Sequence, residues 1–143
     1  MLIKKEIMIN ADITTVWQIF SRLERWPKWG GYIINAEWTT KKKWKKGSQF
    51  TQIVRGFNVI KSLKSEPRII KIKPYSIVTW RGARKLVKGI HTFKFQKVGN
   101  KTKVTNEEYF KGLLAPILFP LIKNNFEIYF QQFLDGLKKE AEK

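Results

Sequence analysis

The spacing of apolar residues changes early in the chain. In residues 2–10, Ile3, Ile7 and Ile9 share one face and Glu6 lies on the other, which is the two-residue period of a β-strand. From residue 11 to residue 23 the apolar positions recur every three or four residues, as on the buried face of an amphipathic helix. These helix positions are Ile13, Val16, Trp17, Phe20 and Leu23. The chain therefore begins with a predicted strand followed by a predicted helix.

The ends of this first helix depend on residue chemistry. Asn10 and Asp12 are both suitable caps for its start, and the sequence does not distinguish between them. The segment ERWPKWGGY, residues 24–32, ends it, because Pro27 disfavours helical geometry at the residue before it and the paired glycines loosen the chain. At most a short second helix fits in this segment.

Seven further strands are predicted between residues 32 and 110. Their ranges are 32–39, 48–55, 58–66, 68–73, 76–81, 86–97 and 101–110. In the first of them, Tyr32, Ile34, Ala36 and Trp38 share one face. Short turn signals separate the strands, and such links suit an antiparallel meander better than crossover connections.

A long amphipathic helix is predicted after the sequence KGLLAP, residues 111–116. Its apolar stripe consists of Phe119, Ile122, Phe126, Tyr129, Phe130, Phe133 and Leu137. Pro116 and Pro120 are expected before this helix or in its opening turn, because deeper placement would kink it. One strand, one or two helices, a run of strands and a long final helix indicate a single α+β domain, residues 1–143, with its helices on one side of a sheet.

Composition narrows the possible chemistry. Hydrophobic residues make up 43% of the 143 residues and aromatic residues 14%, which is typical of a chain that folds around a core. The absence of cysteine excludes disulfides, thiolate catalysis and cysteine-ligated metal sites, and the single histidine, His91, excludes most histidine-based ones. The sequence has no phosphate loop, nucleophile elbow, HExxH or calcium loop. We therefore expect no cofactor and no metal.

Targeting signals are absent from the sequence pattern. The first ten residues alternate and lack the apolar core of a signal peptide. No apolar stretch approaches the roughly 18 residues that span a bilayer. A cytoplasmic location is expected.

Charge is the strongest compositional feature. The chain has 29 Lys and Arg residues against 11 Asp and Glu, which gives a net charge of +18. Such a balance attracts polyanions such as nucleic acid or an anionic membrane. Most of the cations are lysines, whereas readers of bases and phosphates usually rely on the rigid fork of arginine. A solvated surface is therefore favoured over a nucleic-acid site.

The segment AEWTTKKKWKKG, residues 36–47, is the best candidate for a surface that binds polyanions. Trp38 and Trp44 alternate with lysines, a pattern suited to stacking on bases or to lying at a lipid headgroup layer. The favoured interpretation is that Trp38 is half-buried in its strand and that the lysines form a solvated hairpin.

The strongest candidates for chemistry lie on two predicted strands near the C-terminal helix. In GIHTFKF, residues 89–95, His91 shares a face with two phenylalanines. In residues 101–110, Glu108 is the candidate inward carboxylate and Glu107 its solvent-facing neighbour. The same inward faces carry Phe93, Phe95, Val104, Asn106 and Phe110. On the preceding strand pair, Val78 and Trp80 also share a face that we expect to point inward.

Four blocks of the sequence carry a family likeness. They are INADITTVWQIFSRLERWPKWGGYI near the start, Gly47 before Phe50, EP followed by YSIVTWRG, and GIHTFKFQKVGNKTKVTNEEYFKGLLAPIL, which is the most specific. Together they resemble the SRPBCC or START-like superfamily, and most closely its polyketide cyclase/dehydrase and lipid-transport branch. The resemblance runs the length of the chain. It implies a helix-grip fold, in which a strongly curved antiparallel sheet wraps around the long final helix and short helices close one end.

The resemblance also implies a function. Members typically hold an elongated cavity between the sheet and the final helix, and many bind hydrophobic small molecules there. We therefore predict sequestration or transport of a hydrophobic or amphipathic small molecule, including one whose acidic head group is attracted by the positive surface. The predicted lining consists of Val78, Trp80, His91, Phe93, Phe95, Asn106, Glu108, Phe110, Phe119, Ile122, Phe126, Tyr129 and Phe133.

Other interpretations stay open. One is a cyclase or dehydratase that uses His91 and Glu108 as acid and base near neutral pH. In another, these two groups only satisfy each other or the backbone, and the aromatic stripe of the final helix is simply a core face. A third is a nucleic-acid or membrane-surface module that depends on the net charge. A protein-interaction role, known among co-chaperone members of the superfamily, has no specific residue in its favour, and the sequence assigns no oligomeric state.

Overall fold

Strands and helices follow one another largely as the sequence predicts. The computed structural model describes residues 1–83 and 87–143. In chain order its elements are β1 (Leu2–Ile9), α1 (Ile13–Phe20), a 3-10 turn (Leu23–Arg25), α2 (Trp26–Trp29), β2 (Ile33–Trp38), β3 (Phe50–Arg55), β4 (Ser62–Ser65), β5 (Arg68–Lys73), β6 (Ile77–Ala83), β7 (Lys88–Val98), β8 (Lys101–Lys111) and α3 (Ala115–Ala141). The predicted strand 86–97 is present as β7, and its first predicted residue, Leu86, lies outside the described residues.

The strands pair antiparallel in two connected sheets. One sheet has the order β1-β8-β7-β6-β5 and the other has the order β2-β3-β4. The sheets join where Gln49 pairs with Arg68, and the Phe50 amide donates to the Pro67 carbonyl at 3.1 Å beside this bridge. The predicted meander is therefore present within each sheet, and β1 completes the larger one by pairing with β8.

The core lies between the sheets and α3. The helix contributes Phe130, Phe133, Leu134, Leu137 and Ala141, all of them buried. Aromatic side chains from the short helices fill one end of this core: the Phe20 ring lies 4.9 Å from Phe93, and Trp26 lies 5.2 Å from Phe133. The predicted α+β helix-grip arrangement is confirmed, with α3 held by the sheets and the short helices packed after the first strand.

Asp12 is the residue that caps α1. Its carboxylate Oδ1 accepts a hydrogen bond from the Thr15 amide at 2.8 Å, which satisfies a donor that the helix leaves free. The short second helix is also present, as α2. Pro27 lies in its first turn, where the missing amide hydrogen is not required.

The prediction that Ile34 shares a face with Tyr32 and Ala36 is wrong. A register shift between Ile33 and Asn35 in the pairing of β2 with β3 marks a β-bulge. Because a bulge places two residues opposite one, Tyr32 and Ile33 are both buried, whereas Ile34 is 51% exposed. Ala36 returns to the inner face.

The strand predicted at residues 58–66 is shorter than expected. Only Ser62–Ser65 forms β4. Before it, the Gly56 amide donates to the Lys61 carbonyl at 2.9 Å, and Asn58 has a positive φ of 54°. Asparagine tolerates this left-handed conformation, so a turn replaces the first half of the predicted strand.

The prediction for Pro120 is also wrong. Pro116 is the second residue of α3 and lies in its opening turn, as predicted, but Pro120 lies inside the helix. A proline here cannot donate to the carbonyl four residues earlier, which belongs to Pro116. Both prolines are exposed, so water can hydrate that carbonyl and the helix continues.

Candidate functional site

His91 is held in one orientation by Asn106. The imidazole Nε2 lies 2.6 Å from the Asn106 Oδ1, while the Asn106 Nδ2 donates to the Phe130 carbonyl on α3 at 3.4 Å. Because the amide nitrogen is directed to α3, the amide oxygen accepts from His91. The imidazole therefore carries its hydrogen on Nε2 and presents the lone pair of Nδ1 to the other side.

Glu108 lies on that other side. Residues 91 and 108 are directly opposite in the pairing of β7 with β8, and the Glu108 Oε1 is 3.5 Å from the His91 Nδ1. This separation is longer than a good hydrogen bond but short enough for a small movement to close. The side chains of His91 and Glu108 are only 8% and 19% exposed. Glu107, on the outer face, forms an ion pair with Lys94 at 2.9 Å instead.

Gly89 makes room for this carboxyl group. A Cβ atom at position 89 would lie 2.2 Å from the Glu108 Oε2, far inside contact distance. Glycine inside a strand often marks a close approach of another group. That signal was present in the sequence, but its partner became identifiable only when β7 and β8 were placed in register.

Burial shifts the pKa values of Glu108 and His91 in opposite directions. Loss of water raises the pKa of Glu108 to about 8. It lowers the pKa of His91 to about 4, and the hydrogen bond with Asn106 offsets only part of this effect. Near neutral pH the pair is therefore uncharged, with one proton on Glu108 and a free lone pair on His91. Such a pair can donate a hydrogen bond to an oxygen atom and accept a proton beside it.

Aromatic rings enclose the imidazole. Its centroid lies 4.9 Å from the Phe130 ring and 5.0 Å from both Phe93 and Trp80, and the Phe93 plane is only 14° from the imidazole plane. These contacts exclude water and account for the depressed pKa of His91. The space between the sheet and α3 is filled with side chains at this depth.

The structure separates the predicted lining residues into two groups. The fully buried group surrounds the polar pair or extends into the aromatic core and consists of Val78, Trp80, His91, Phe93, Phe95, Asn106, Phe110 and Phe133. Within this group Phe95 belongs to the aromatic core rather than to the surroundings of the polar pair, because its ring packs on Trp17 and Phe20 of α1. The half-buried group consists of Glu108, Phe119, Ile122, Phe126 and Tyr129.

The half-buried residues of α3 pack against the end of β8 and against the turn that follows β3. The Phe126 ring is parallel to Phe110 with centroids 6.1 Å apart, and Phe119 lies 5.8 Å from the same ring. Phe57, from the turn before β4, contacts Phe126 from another side at 6.1 Å. The Tyr129 hydroxyl donates to the Gly56 carbonyl at 2.5 Å.

Tyr32 is a member of this region that the candidate list lacked. Its ring stacks on Tyr129 at 5.0 Å, and it is buried. Burial and the neighbouring Glu108 raise the pKa of the Tyr32 hydroxyl. Its inward direction was predicted from the alternation of its strand, but its proximity to Glu108 depends on the bulge and on the position of α3.

The lysine-rich segment has its two indoles turned inward. The Trp44 Nε1 donates to the Ser21 carbonyl at 2.7 Å, and its ring contacts Trp17 at 5.9 Å and Trp38 at 5.0 Å. Both indoles are half-buried. The rings therefore support the core rather than forming an open stacking platform.

Two depressions on the described surface lie away from this site: one of about 530 Å³ follows β1 and α3 past Lys5 and Asp135, and one of about 120 Å³ lies between Arg22 and Glu140. The described residues contain no cluster of acidic or histidine side chains that could hold a metal. None of the helices in residues 1–83 and 87–143 is long and apolar enough to cross a membrane.

Comparison with known proteins identifies the family. Residues 2–142 match the family described as polyketide cyclase / dehydrase and lipid transport, and the chain belongs to it. No curated protein sequence matches this chain.

Solved structures show the same fold at low sequence identity. One is TTHA0849 from Thermus thermophilus, 12% identical, with a TM-score of 0.81 over 99% of this chain and 97% of that one. A START superfamily protein from Mycobacterium smegmatis is 16% identical, with a TM-score of 0.79 over 99% and 97%. The Zhui aromatase/cyclase from Streptomyces sp. R1128 is 12% identical, with a TM-score of 0.79 over 99% and 93%. The chain therefore shares its fold with a START superfamily protein and with an aromatase/cyclase, and a shared fold does not by itself assign a function.

Proposed function

We propose that the protein binds a hydrophobic or amphipathic small molecule between the sheet and the first half of α3, with the polar end of the ligand at Glu108 and His91. The observation that carries this proposal is the largely buried Glu108 carboxyl group, 3.5 Å from the His91 Nδ1, at the inner end of a row of half-buried apolar side chains. A functional pocket commonly combines such an apolar wall with a few polar groups. The family description and the START-like fold support a role of this class.

The first half of α3 is the side from which a ligand can enter. The second half is closed by fully buried side chains, including Phe130 and Leu137. Phe119 and Phe126 are only half-buried, and both pack on the Phe110 ring. Phe126 also contacts Phe57, Tyr129 and Phe130. We expect rotation of Phe119 and Phe126 to open the path by which a ligand reaches Glu108.

The polar pair limits the chemistry of the ligand. A protonated carboxyl donates a hydrogen bond, so the group it meets must accept one, as a carbonyl or carboxylate oxygen does. The net charge of +18 attracts a ligand with an acidic head. The expected ligand is therefore an apolar molecule with a carbonyl or carboxyl group at one end.

A cyclase or dehydratase activity is the second candidate, because the pair holds one proton and one free lone pair at neutral pH. For a bound β-hydroxy carbonyl compound, the His91 Nδ1 would take the proton next to the carbonyl and Glu108 would protonate the departing hydroxyl, which leaves as water. Return of the proton from His91 to Glu108 would then restore both groups. The family description and the Zhui aromatase/cyclase support this class of reaction.

Titration with a fluorescent apolar anion, 1-anilinonaphthalene-8-sulfonate, and with long-chain fatty acids tests the binding proposal. Glu108→Leu keeps much of the volume of the side chain but removes its hydrogen-bond donor, and we expect it to weaken fatty-acid binding about tenfold. Glu107→Leu, the matched change on the outer face of the same strand, should leave the affinity within about twofold.

Native mass spectrometry before and after organic extraction gives an independent measurement. We expect an extractable adduct on the purified protein. The proposal is wrong if no adduct and no saturable binding are found, or if the two leucine variants weaken binding equally. Turnover of a β-hydroxy thioester that is lost in His91→Ala, with fatty-acid affinity retained, would favour the enzyme.

A further inference from the structure

The start of α3 exposes an unusual number of large apolar side chains. Leu113, Ile117 and Leu121 are 81%, 65% and 65% exposed, and Leu118 is 37% exposed. These four residues, which we call the helix-start patch, lie within nine consecutive residues of the chain. Exposed apolar residues that occur singly are ordinary, but a contiguous group indicates a surface that is covered in function.

The first turns of α3 are apolar around their whole circumference. Phe119 and Ile122 face the sheet and are half-buried, while Ile117 and Leu121 face away from it. In the second half of the helix the outward positions are polar, as at Asp135. A helix that is apolar on every side is stable only in apolar surroundings on every side.

The backbone amides at this end of the helix already have hydrogen-bond acceptors within the protein. The amides of Ala115, Ile117 and Leu118 donate to the carbonyls of Gly112 and Leu114 at 3.0–3.2 Å, and Pro116 has no amide hydrogen. The first amides of a helix usually lack protein partners and bind water. Here these amides can leave water without losing a hydrogen bond. The Pro116 carbonyl, to which Pro120 cannot donate, still needs water, so this turn suits the headgroup boundary rather than the acyl interior.

Positive charge borders the patch. Lys88 and Lys111 face each other directly at the ends of β7 and β8, and both are exposed. Lys111 is two residues before Leu113 in the chain. Neither lysine forms an ion pair with a described residue. Like charges opposed across a strand pair destabilise it unless an anion lies between them. The sequence from residue 109 to residue 126 contains no aspartate or glutamate.

We propose that the helix-start patch docks the protein on an anionic lipid surface. The four apolar side chains enter the boundary between headgroups and acyl chains, and Lys88 and Lys111 contact lipid phosphates. A second copy of the chain is a poorer occupant, because two molecules of +18 each repel one another. This inference stands on the exposed surface and holds whether or not the interior binds a ligand.

Vesicle flotation measures docking directly. We expect the protein to float with vesicles of phosphatidylcholine and phosphatidylglycerol, to bind pure phosphatidylcholine far more weakly, and to lose affinity as salt is raised. Ile117→Gln with Leu121→Gln should weaken binding about tenfold or more. Ile34→Gln with Val98→Gln removes two exposed apolar residues elsewhere and should change it by less than about twofold.

A second pair of variants separates local charge from net charge. Lys88→Gln with Lys111→Gln should weaken binding about tenfold, because both lysines contact phosphate. Lys41→Gln with Lys42→Gln changes the net charge equally in the exposed lysine-rich turn and should have a much smaller effect. Equal losses in the two pairs would show attraction by net charge alone and would overturn the proposal.

Insertion itself can be detected because the chain contains no cysteine. An environment-sensitive fluorophore on Leu121→Cys should shift to shorter wavelength when anionic vesicles are added, and the same label on Ile34→Cys should not. No flotation with anionic vesicles, or no shift at residue 121 when the protein is bound, overturns the proposal. Sedimentation that shows self-association lost in the Ile117→Gln, Leu121→Gln variant would assign the patch to a second copy instead.

Discussion

The two halves of α3 differ in how far the rest of the chain covers their apolar side chains. From Tyr129 onward the helix buries one side against the core through Phe130, Phe133 and Leu137, and its other side is polar. Before Tyr129, apolar residues point both toward the sheet and away from it, and few are fully covered. The second half therefore supplies stability, and the first half is available for binding. The polar pair lies at the boundary, where Asn106 bonds to the Phe130 carbonyl.

The largest effect expected from this comparison is on stability. Leu137→Ala removes a fully buried side chain and should lower the free energy of unfolding by about 3 kcal/mol. Leu121→Ala, the same substitution in the exposed first half, should change it by less than about 0.5 kcal/mol. Urea unfolding of the two variants measures the difference. Similar losses would mean that the first half of the helix is as tightly packed as the second.

A smaller effect is expected at the boundary between the halves. Gly89→Ala forces the Glu108 carboxyl from its position and should destabilise the protein by about 1–3 kcal/mol. Gly82, paired with Gly89 across β6 and β7, has nothing within 4 Å of its missing Cβ, so Gly82→Ala should be nearly neutral. Adding Glu108→Ala should relieve most of the loss caused by Gly89→Ala. Additive losses would show that the two positions do not interact.

The smallest effect is a dependence of stability on pH. The folded protein holds the Glu108 proton more tightly than the unfolded chain, since the pKa rises from 4.5 to about 8, so stability falls as pH rises through this range. His91, whose pKa falls from 6.5 to about 4, acts in the opposite direction only below pH 6.5. From pH 6.5 to pH 8 the free energy of unfolding should therefore decrease by up to about 2 kcal/mol.

Two glutamine variants assign this slope to one carboxyl group. Glu108→Gln should unfold with a stability that no longer changes between pH 6.5 and pH 8. Glu107→Gln, at the ion pair with Lys94 on the outer face of the sheet, should keep the slope of the natural protein. Persistence of the slope in Glu108→Gln would place the titrating group elsewhere.

Much of the fold was predictable because local period and burial agree. The alternation at residues 89–95 placed His91, Phe93 and Phe95 on the inner face, and all three are buried there. The predictions failed where a local irregularity in the backbone changed which way a side chain points or where an element ends. A bulge reversed the direction of Ile34, a left-handed Asn58 shortened a strand, and solvent exposure allowed Pro120 inside a helix.

The candidate site was predictable only in part. Alternation identified Glu108 and His91 as inward groups, because each strand has one buried face. It did not identify Gly89 or Tyr32 as their neighbours, since those contacts join different strands and depend on register and on the bulge. Whether side chains occupy the space between the sheet and α3 depends on the combined volumes of rings from several elements. No single segment of the sequence contains that information.

The sequence by itself determined the order and type of the elements, the inward faces of β7 and β8, the lack of cysteine chemistry and the strongly positive charge. These properties follow from local spacing and composition. Only the tertiary structure decided that Glu108 loses enough water to hold its proton at neutral pH, and that Leu113, Ile117 and Leu121 are left exposed by the described residues around them. The physical reason is the same in both cases: solvation of a side chain depends on what the rest of the chain places around it.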